Sequence, residues 1–257
     1  MILLQTFLDN KPLYYDAIDY TRMPRVFENI KKHFSLPKII HLIGTNAKGT
    51  TGRFLASALF TSGLKVGHYT SPHISKFNER IWINGQDASD DILEASHQKL
   101  LTILTQEEAN SLSYFEYTTL LAMYTYRDME YVVLEAGLGG EHDATAVFDN
   151  ILTLITPIDK DHEAFLGDTI KEIVTTKVNA VQKVAILAQQ PNGIVDTLAE
   201  EIVTAKQCTF FKVKELISDK DVQKIARITK QLFLEKYLVD NLSLAIAALN
   251  CLKIEYS

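Results

Sequence analysis

Lys38–Ser71, KIIHLIGTNAKGTTGRFLASALFTSGLKVGHYTS, decides the reading of this chain. It opens on β-branched and apolar residues (Ile39, Ile40, Leu42, Ile43), passes through Gly44-Thr45-Asn46-Ala47-Lys48-Gly49-Thr50-Thr51, and continues in a helical pattern from Phe54 to Leu59. That order predicts strand, phosphate loop and helix. A Gly-rich turn between a buried strand and a helix aims backbone N–H groups and the positive end of the helix dipole at one point, where Lys48 adds a full charge. The ligand such a turn suits is a polyphosphate. The match to G-x-x-x-x-G-K-[ST] is not strict: Ala47 stands in place of the last glycine, and Gly49 separates Lys48 from the hydroxyls of Thr50 and Thr51. Taken alone, the stretch also fits an ordinary strand-to-helix turn.

Working outward, strands and helices alternate. Lys65 to Thr70 reads as a second strand ending in Ser71-Pro72-His73, and Phe77 to Gly85 as a short hairpin or projecting loop with an Asn84-Gly85 turn. Ser89 to Leu104 reads as a helix. Ser113-Tyr114-Phe115-Glu116 has the capping-box form and introduces another, reaching about Met129. Tyr131 to Leu134 is a short buried strand ending at Glu135 and followed by Ala136-Gly137-Leu138-Gly139-Gly140, which places a carboxylate where it could hold Mg²⁺. Ile151 to Thr156 is a further strand, followed by Pro157-Ile158-Asp159-Lys160-Asp161-His162. A helix over Thr169 to Ala180 carries Lys177. Val184–Leu187 (strand), Pro191–Ala205 (helix) and Cys208–Val213 (strand) complete the pattern, and Leu238–Leu252 is an apolar helix that docks on its own domain or leads into another. The alternation predicts an α/β fold, a doubly wound and mainly parallel sheet flanked by helices, with the polar strand ends facing one crevice. The first forty residues read as two helices, Leu3–Leu8 and Pro24–Phe34, joined through Tyr14, Tyr15 and Tyr20 and packed on the sheet edge or over the site.

The chain has 257 residues, enough for one large α/β domain, with 47% hydrophobic and 23% charged residues. A net charge of −6, with a pI near 5.7, gives no electrostatic reason to expect nucleic acid or an anionic membrane as partner. The two cysteines, Cys208 and Cys251, read as core residues, and with no signal-peptide pattern at the start the expected compartment is the cytoplasm.

Several segments together resemble the folate branch of the Mur ligase superfamily, the dihydrofolate and folylpolyglutamate synthases. They are GTNAKGTT (Gly44–Thr51), YTSPH (Tyr69–His73), FNERIWING (Phe77–Gly85), YFE (Tyr114–Glu116), LEAGLGGEHDAT (Leu134–Thr145) and ITPIDKDHEAFLGDTIKEIVTTK (Ile155–Lys177), in the family's order and spacing. The resemblance implies a P-loop-containing, Mur ligase central-domain-like fold and an ATP-dependent ligation of glutamate to dihydropteroate or a folate through an acyl phosphate. It implies ATP bound by Gly44, Thr45, Asn46, Ala47, Lys48, Gly49, Thr50 and Thr51, with Lys48 neutralising phosphate charge. It implies Mg²⁺ held by Ser71, Glu135 and His162, a second metal through a carbamylated Lys177, and catalytic roles for Lys48, Lys177 and His162. Phe115, Asp143 and Arg80 fall where the family binds the pterin and aminobenzoate portion. The family's usual form is a monomer acting on small molecules, without nucleic acid or membrane.

The chain departs from the family at Ala47, where glycine is usual and a Cβ crowds the phosphates or strains a positive φ; at Glu141, which replaces a basic residue; and at Ala146, which replaces an asparagine. The late HQxxN pattern is reduced to Tyr237–Asn241, leaving Asn241 as the contact for the nucleotide base. Residues 1–257 are expected to form one ATP-binding domain, with 1–37 a helical lead-in and 238–257 a helix leading toward the family's smaller C-terminal domain. Such a chain is either a fragment or a natural short homologue. A non-catalytic nucleotide- or pterin-binding module and a cell-wall Mur ligase are the competing readings; FNERIWING and SPH favour the folate branch.

Overall fold

The computed structural model describes residues 2–12, 19–160 and 166–256. Tyr14, Tyr15 and His162 lie outside the described residues. In chain order the elements are α1 (Leu4–Asp9), α2 (Arg22–Ile30), β1 (Lys38–Ile43), α3 (Lys48–Thr61), β2 (Val66–Tyr69), β3 (Ile81–Ile83), β4 (Gln86–Asp87), α4 (Asp90–Ile103), α5 (Gln106–Ser111), α6 (Tyr114–Thr125), β5 (Tyr131–Glu135), β6 (Leu152–Ile155), α7 (Ile170–Val178), β7 (Val184–Leu187), α8 (Gly193–Ala205), β8 (Thr209–Lys212), α9 (Val213–Leu216), α10 (Asp219–Leu232) and α11 (Lys236–Cys251).

The strands form one eight-stranded sheet in the order β4-β3-β2-β5-β1-β6-β7-β8. From β2 to β8 every pairing is parallel; β3 and β4 join the edge antiparallel, turning over Asn84-Gly85. The central strands β1, β5 and β6 are buried on both faces, as their β-branched, apolar composition dictates. β1 lies at the middle. The chain leaves β1 toward β2 on one side and leaves β6 toward β7 on the other, which opens a crevice at the carboxyl ends of these neighbours.

Side chains alternate across β1 and sort the core. Ile40 and Leu42 face α3 and α11, whose Leu55, Leu59, Leu244, Ala245 and Ala248 are buried with them. The terminal helix thus docks on its own sheet. On the other face, Ile39 joins a cluster built by α1, α2, α4 and α6, and Ile43 a second cluster built by α7 and α8. Between them on that face sits His41. The N-terminal helices α1 and α2 belong to the first cluster, so they are part of the core.

Local signals fix the helix starts. Ser113 and Glu116 form the expected capping box, and Ser89, Asn192 and Thr169 also accept backbone N–H groups at their helix starts. Buried Arg22 donates from Nε to Glu116 Oε2 at 2.8 Å, and the same oxygen takes the Ser113 N–H at 2.7 Å, which orients the start of α6 and its Phe115. Cys208 and Cys251 are half-buried at the core margin rather than inside it. Among the described residues no helix is long and apolar enough to cross a membrane.

Candidate nucleotide and metal site

β1 delivers the loop Gly44–Ala47 to the N-terminus of α3. Gly44 has φ +140°, a conformation reserved for glycine, and Ala47 has φ 71°, ψ 2°, in the left-handed region. The strained position expected at Ala47 is therefore real, and an L-residue pays about 1 kcal/mol there. Replacing Ala47 by glycine is expected to raise stability by up to about 1 kcal/mol, read as a shift in urea midpoint at constant slope. An unchanged or lowered midpoint would contradict the strain.

The loop is anchored sideways. Thr45 and Asn46 N–H both donate to Pro157 O, at 3.0 and 3.1 Å, and Thr45 Oγ1 donates to Asp159 O at 2.9 Å. Those two amides face the segment after β6, whereas the N–H groups of Ala47, Lys48, Gly49 and Thr50 at the start of α3 have no intrahelical acceptor and remain for an anion. Two ammonium groups meet at the head of the loop. Lys48 Nζ donates to Gly44 O at 3.0 Å and Lys177 Nζ, 3% exposed, to the same oxygen at 3.1 Å.

A carboxylate faces them. Glu135, 4% exposed at the end of β5, accepts from the Thr70 hydroxyl and, at 3.4 Å, from Ser71 N–H. Burial pushes its carboxyl above the usual range, opposed by the Thr70 hydroxyl and by the charge of Lys48. A Cβ added at Gly49 would lie 3.0 Å from Thr70 Oγ1 and 3.4 Å from Glu135 Oε2, so the first turn of α3 sits directly on this pair. Gly49, which breaks the general phosphate-loop pattern, is what lets the strand ends and the helix close up. Loop, β2 end, β5 end, post-β6 segment and α7 thus converge at the carboxyl edge of the sheet.

Beside this point lies an aromatic region. The Phe115 ring stands against Gly137, where an added Cβ would be 2.5 Å from Cζ, and 5.9 Å from the ring of Tyr69. Arg80 donates from Nε to His73 Nδ1 at 2.8 Å, and its guanidinium lies 5.3 Å from the Tyr114 ring centroid. Each oxygen of the Asp143 carboxylate accepts two hydrogen bonds from its own loop. Glu141, in place of a basic residue, accepts from Asn179 Nδ2 at 2.8 Å. Asn241 is buried in α11, and its Nδ2 has no hydrogen-bond partner among the described residues. A cavity of about 880 Å³ lies elsewhere, past β6 at the carboxyl ends of β7 and β8 and against α10 and α11; neither Asn241 nor the phosphate loop lines it.

Sequence reasoning missed His41, Thr70 and Thr145. Thr70 precedes Ser71 at a strand end and was accessible to the same argument; His41 and Thr145 acquire partners only through the tertiary fold.

No family model matches the chain. It is 38% identical over 174 residues to the dihydrofolate synthase/folylpolyglutamate synthase of Haemophilus influenzae, a match covering 66% of this chain and 39% of that protein. The crystal structure of Helicobacter pylori folylpolyglutamate synthetase superposes with a TM-score of 0.85 at 35% identity, over 97% of this chain and 62% of that one. A Yersinia pestis bifunctional folylpolyglutamate synthase/dihydrofolate synthase complexed with AMPPNP and Mn superposes with a TM-score of 0.70 at 29% identity, over 81% of this chain and 50% of that one. The chain spans less than two thirds of the length of these relatives.

Proposed function

We propose that this chain, homologous to the N-terminal portion of the dihydrofolate and folylpolyglutamate synthases, is the ATP-handling part of an enzyme that joins glutamate to dihydropteroate or a folate. The observation that carries the reading is the meeting of Lys48, Lys177 and Glu135 around the head of a phosphate loop. A carboxylate is a poor electrophile. In the proposed reaction an oxygen of the acceptor carboxylate bonds to the γ-phosphorus of ATP as the bond to ADP breaks; the glutamate amine then attacks the acyl carbon, phosphate leaves and the amine gives up a proton.

An anionic acceptor must approach an anionic triphosphate, so the site has to supply positive charge. Lys48 and the α3 amides do this at the phosphates. Phe115, beside Gly137, offers the flat surface for the acceptor's ring system, with Arg80 and Tyr114 farther along the same wall. Asn241, whose buried Nδ2 has no hydrogen-bond partner among the described residues, is the candidate contact for the base.

Magnesium is the metal this reading implies. The Glu135 carboxylate and Ser71 hydroxyl are hard oxygen donors of the kind Mg²⁺ takes in small number, the rest of its shell being water and phosphate oxygens; among the described residues there is no cluster of three or more His, Cys, Asp or Glu. Two such donors suit a metal that completes its shell from phosphate and water. It would supply charge neutralisation at the phosphates. The resemblance adds His162 as a ligand and a carbamylated Lys177 at a second metal; a mass increase of one CO₂ at Lys177 in bicarbonate is the check on the latter.

Calorimetry on this chain is expected to show Mg-dependent ATP binding that weakens at least about tenfold in Lys48→Ala, the loss of a charge-assisted contact to phosphate. Folded wild-type protein that binds no Mg-ATP, or a Lys48→Ala variant that binds as well, would overturn the reading.

A further inference from the structure

The glycine loop after β5 touches both halves of the site. Gly137 lies under the Phe115 ring; at Gly140 an added Cβ would be 2.5 Å from Lys177 O and 2.8 Å from Lys177 Cα; and Glu141 N–H donates to Thr176 O at 2.9 Å. A shift of this loop therefore moves the aromatic wall and the lysine together. Three glycines give it little rigidity of its own, so something else must hold it.

That support is a buried polar chain. Asp143 Oδ2 accepts Gly137 N–H at 3.0 Å and Leu138 N–H at 2.8 Å, and Oδ1 accepts Thr145 N–H at 2.9 Å and the Thr145 hydroxyl at 2.5 Å. A carboxylate has about four acceptor sites, and all are filled. Because the Thr145 hydroxyl gives its proton to Asp143, its oxygen can only accept from His41 Nε2, 2.8 Å away. His41 is thereby set as the Nε2–H tautomer, with Nδ1 bare. Its place on β1, between the cluster of α1, α2, α4 and α6 and that of α7 and α8, means the chain fills a polar seam between two apolar bodies and ties the loop to the central strand.

We infer that His41, Thr145 and Asp143 form a positioning relay that fixes the glycine loop between Phe115 and Lys177. The functional consequence rests on the ligase reading; the relay itself does not.

Thr145→Val removes the hydroxyl at equal volume, and Thr145→Ser keeps it. Nitrogen NMR of the wild-type imidazole at pH 7 is expected to show His41 protonated at Nε2 only; an Nδ1–H tautomer or an imidazolium would overturn the relay. Amide exchange at Gly137 and Leu138 is expected to accelerate about tenfold in Thr145→Val and to return to wild-type rates in Thr145→Ser. Unchanged exchange in the valine variant would overturn it. If Thr145→Val does not fold, the tautomer and a His41→Gln variant, which keeps a donor, decide the same question, since slow exchange at both amides in His41→Gln is required. Dihydropteroate affinity, by calorimetry with Mg-ATP present, should fall with loop protection and recover in Thr145→Ser; affinity that stays at the wild-type value while protection is lost would show that the loop does not position the acceptor. Wild-type protein that binds neither ligand would count against the ligase reading alone, because exchange and tautomer would still stand as measured.

Discussion

Gly44→Ala is expected to cost about 3 kcal/mol or more of stability and to remove Mg-ATP binding. At φ +140° the alanine backbone is strained, and its Cβ would stand 2.1 Å from Thr156 Oγ1 and 2.9 Å from Thr156 O. Thr156 cannot yield cheaply, since it is fully buried and bonds through both N–H and hydroxyl to Ile43 O, at 2.9 and 3.1 Å. Any relief must come from the loop, whose Gly44 carbonyl holds Lys48 and Lys177. Gly63→Ala separates the two causes: Gly63 has φ +87° but nothing within 4 Å of an added Cβ, so it should cost only about 1 kcal/mol and leave binding intact. Urea unfolding and calorimetry on both variants make the comparison. A Gly44→Ala protein within 1 kcal/mol of wild type would mean that the loop relaxes freely.

Much of this site is legible in residues adjacent along the chain. A phosphate loop, a strand ending in glutamate and a capping box at Ser113 are local patterns, and each predicted element corresponds to one in the fold. The order of the strands is not local: that β1 lies between β5 and β6 follows from which buried faces the helices cover. Helix α10 escaped the sequence reading because it is amphipathic but weakly buried, with only Asp221 and Ile225 inside, although Ser218 and Asp221 form a capping pair that was open to detection. The role of Asp143 was drawn from resemblance, which fixes a position but not the donors around it. Its four partners are visible only once Gly137, Leu138 and Thr145 are folded together.

Histidines in the two strands carry the second large effect. Acidification from pH 7 to 5 is expected to remove about 2 kcal/mol of stability for each of His41 and His68. Burial lowers His41 to about 4, and burial, helped by Arg53, lowers His68 to about 3, both from an ordinary 6.5. Below pH 6.5 the unfolded chain takes up protons that the folded chain refuses, so the stability these residues contribute is present above 6.5 and is lost as pH falls toward 4 and 3. Glu135 and Asp143 act in the opposite sense. Their folded carboxyls are raised by burial, so as pH falls toward their ordinary values the folded state takes up protons first and gains. His68 isolates the histidine effect, since burial and the charge of Arg53 are what shift it, and neither of its ring nitrogens has a hydrogen-bond partner among the described residues. His68→Leu should therefore be no less stable than wild type at pH 7, because two unpaired polar atoms leave the core, and should lose about 2 kcal/mol less between pH 7 and 5. Urea unfolding of both proteins at the two pH values gives the difference with the carboxylate contribution cancelled. Parallel losses would show that His68 reaches a proton acceptor or solvent in the folded state, and with it that the interface of β2 with α3 is wetter than its packing against Gly52 indicates.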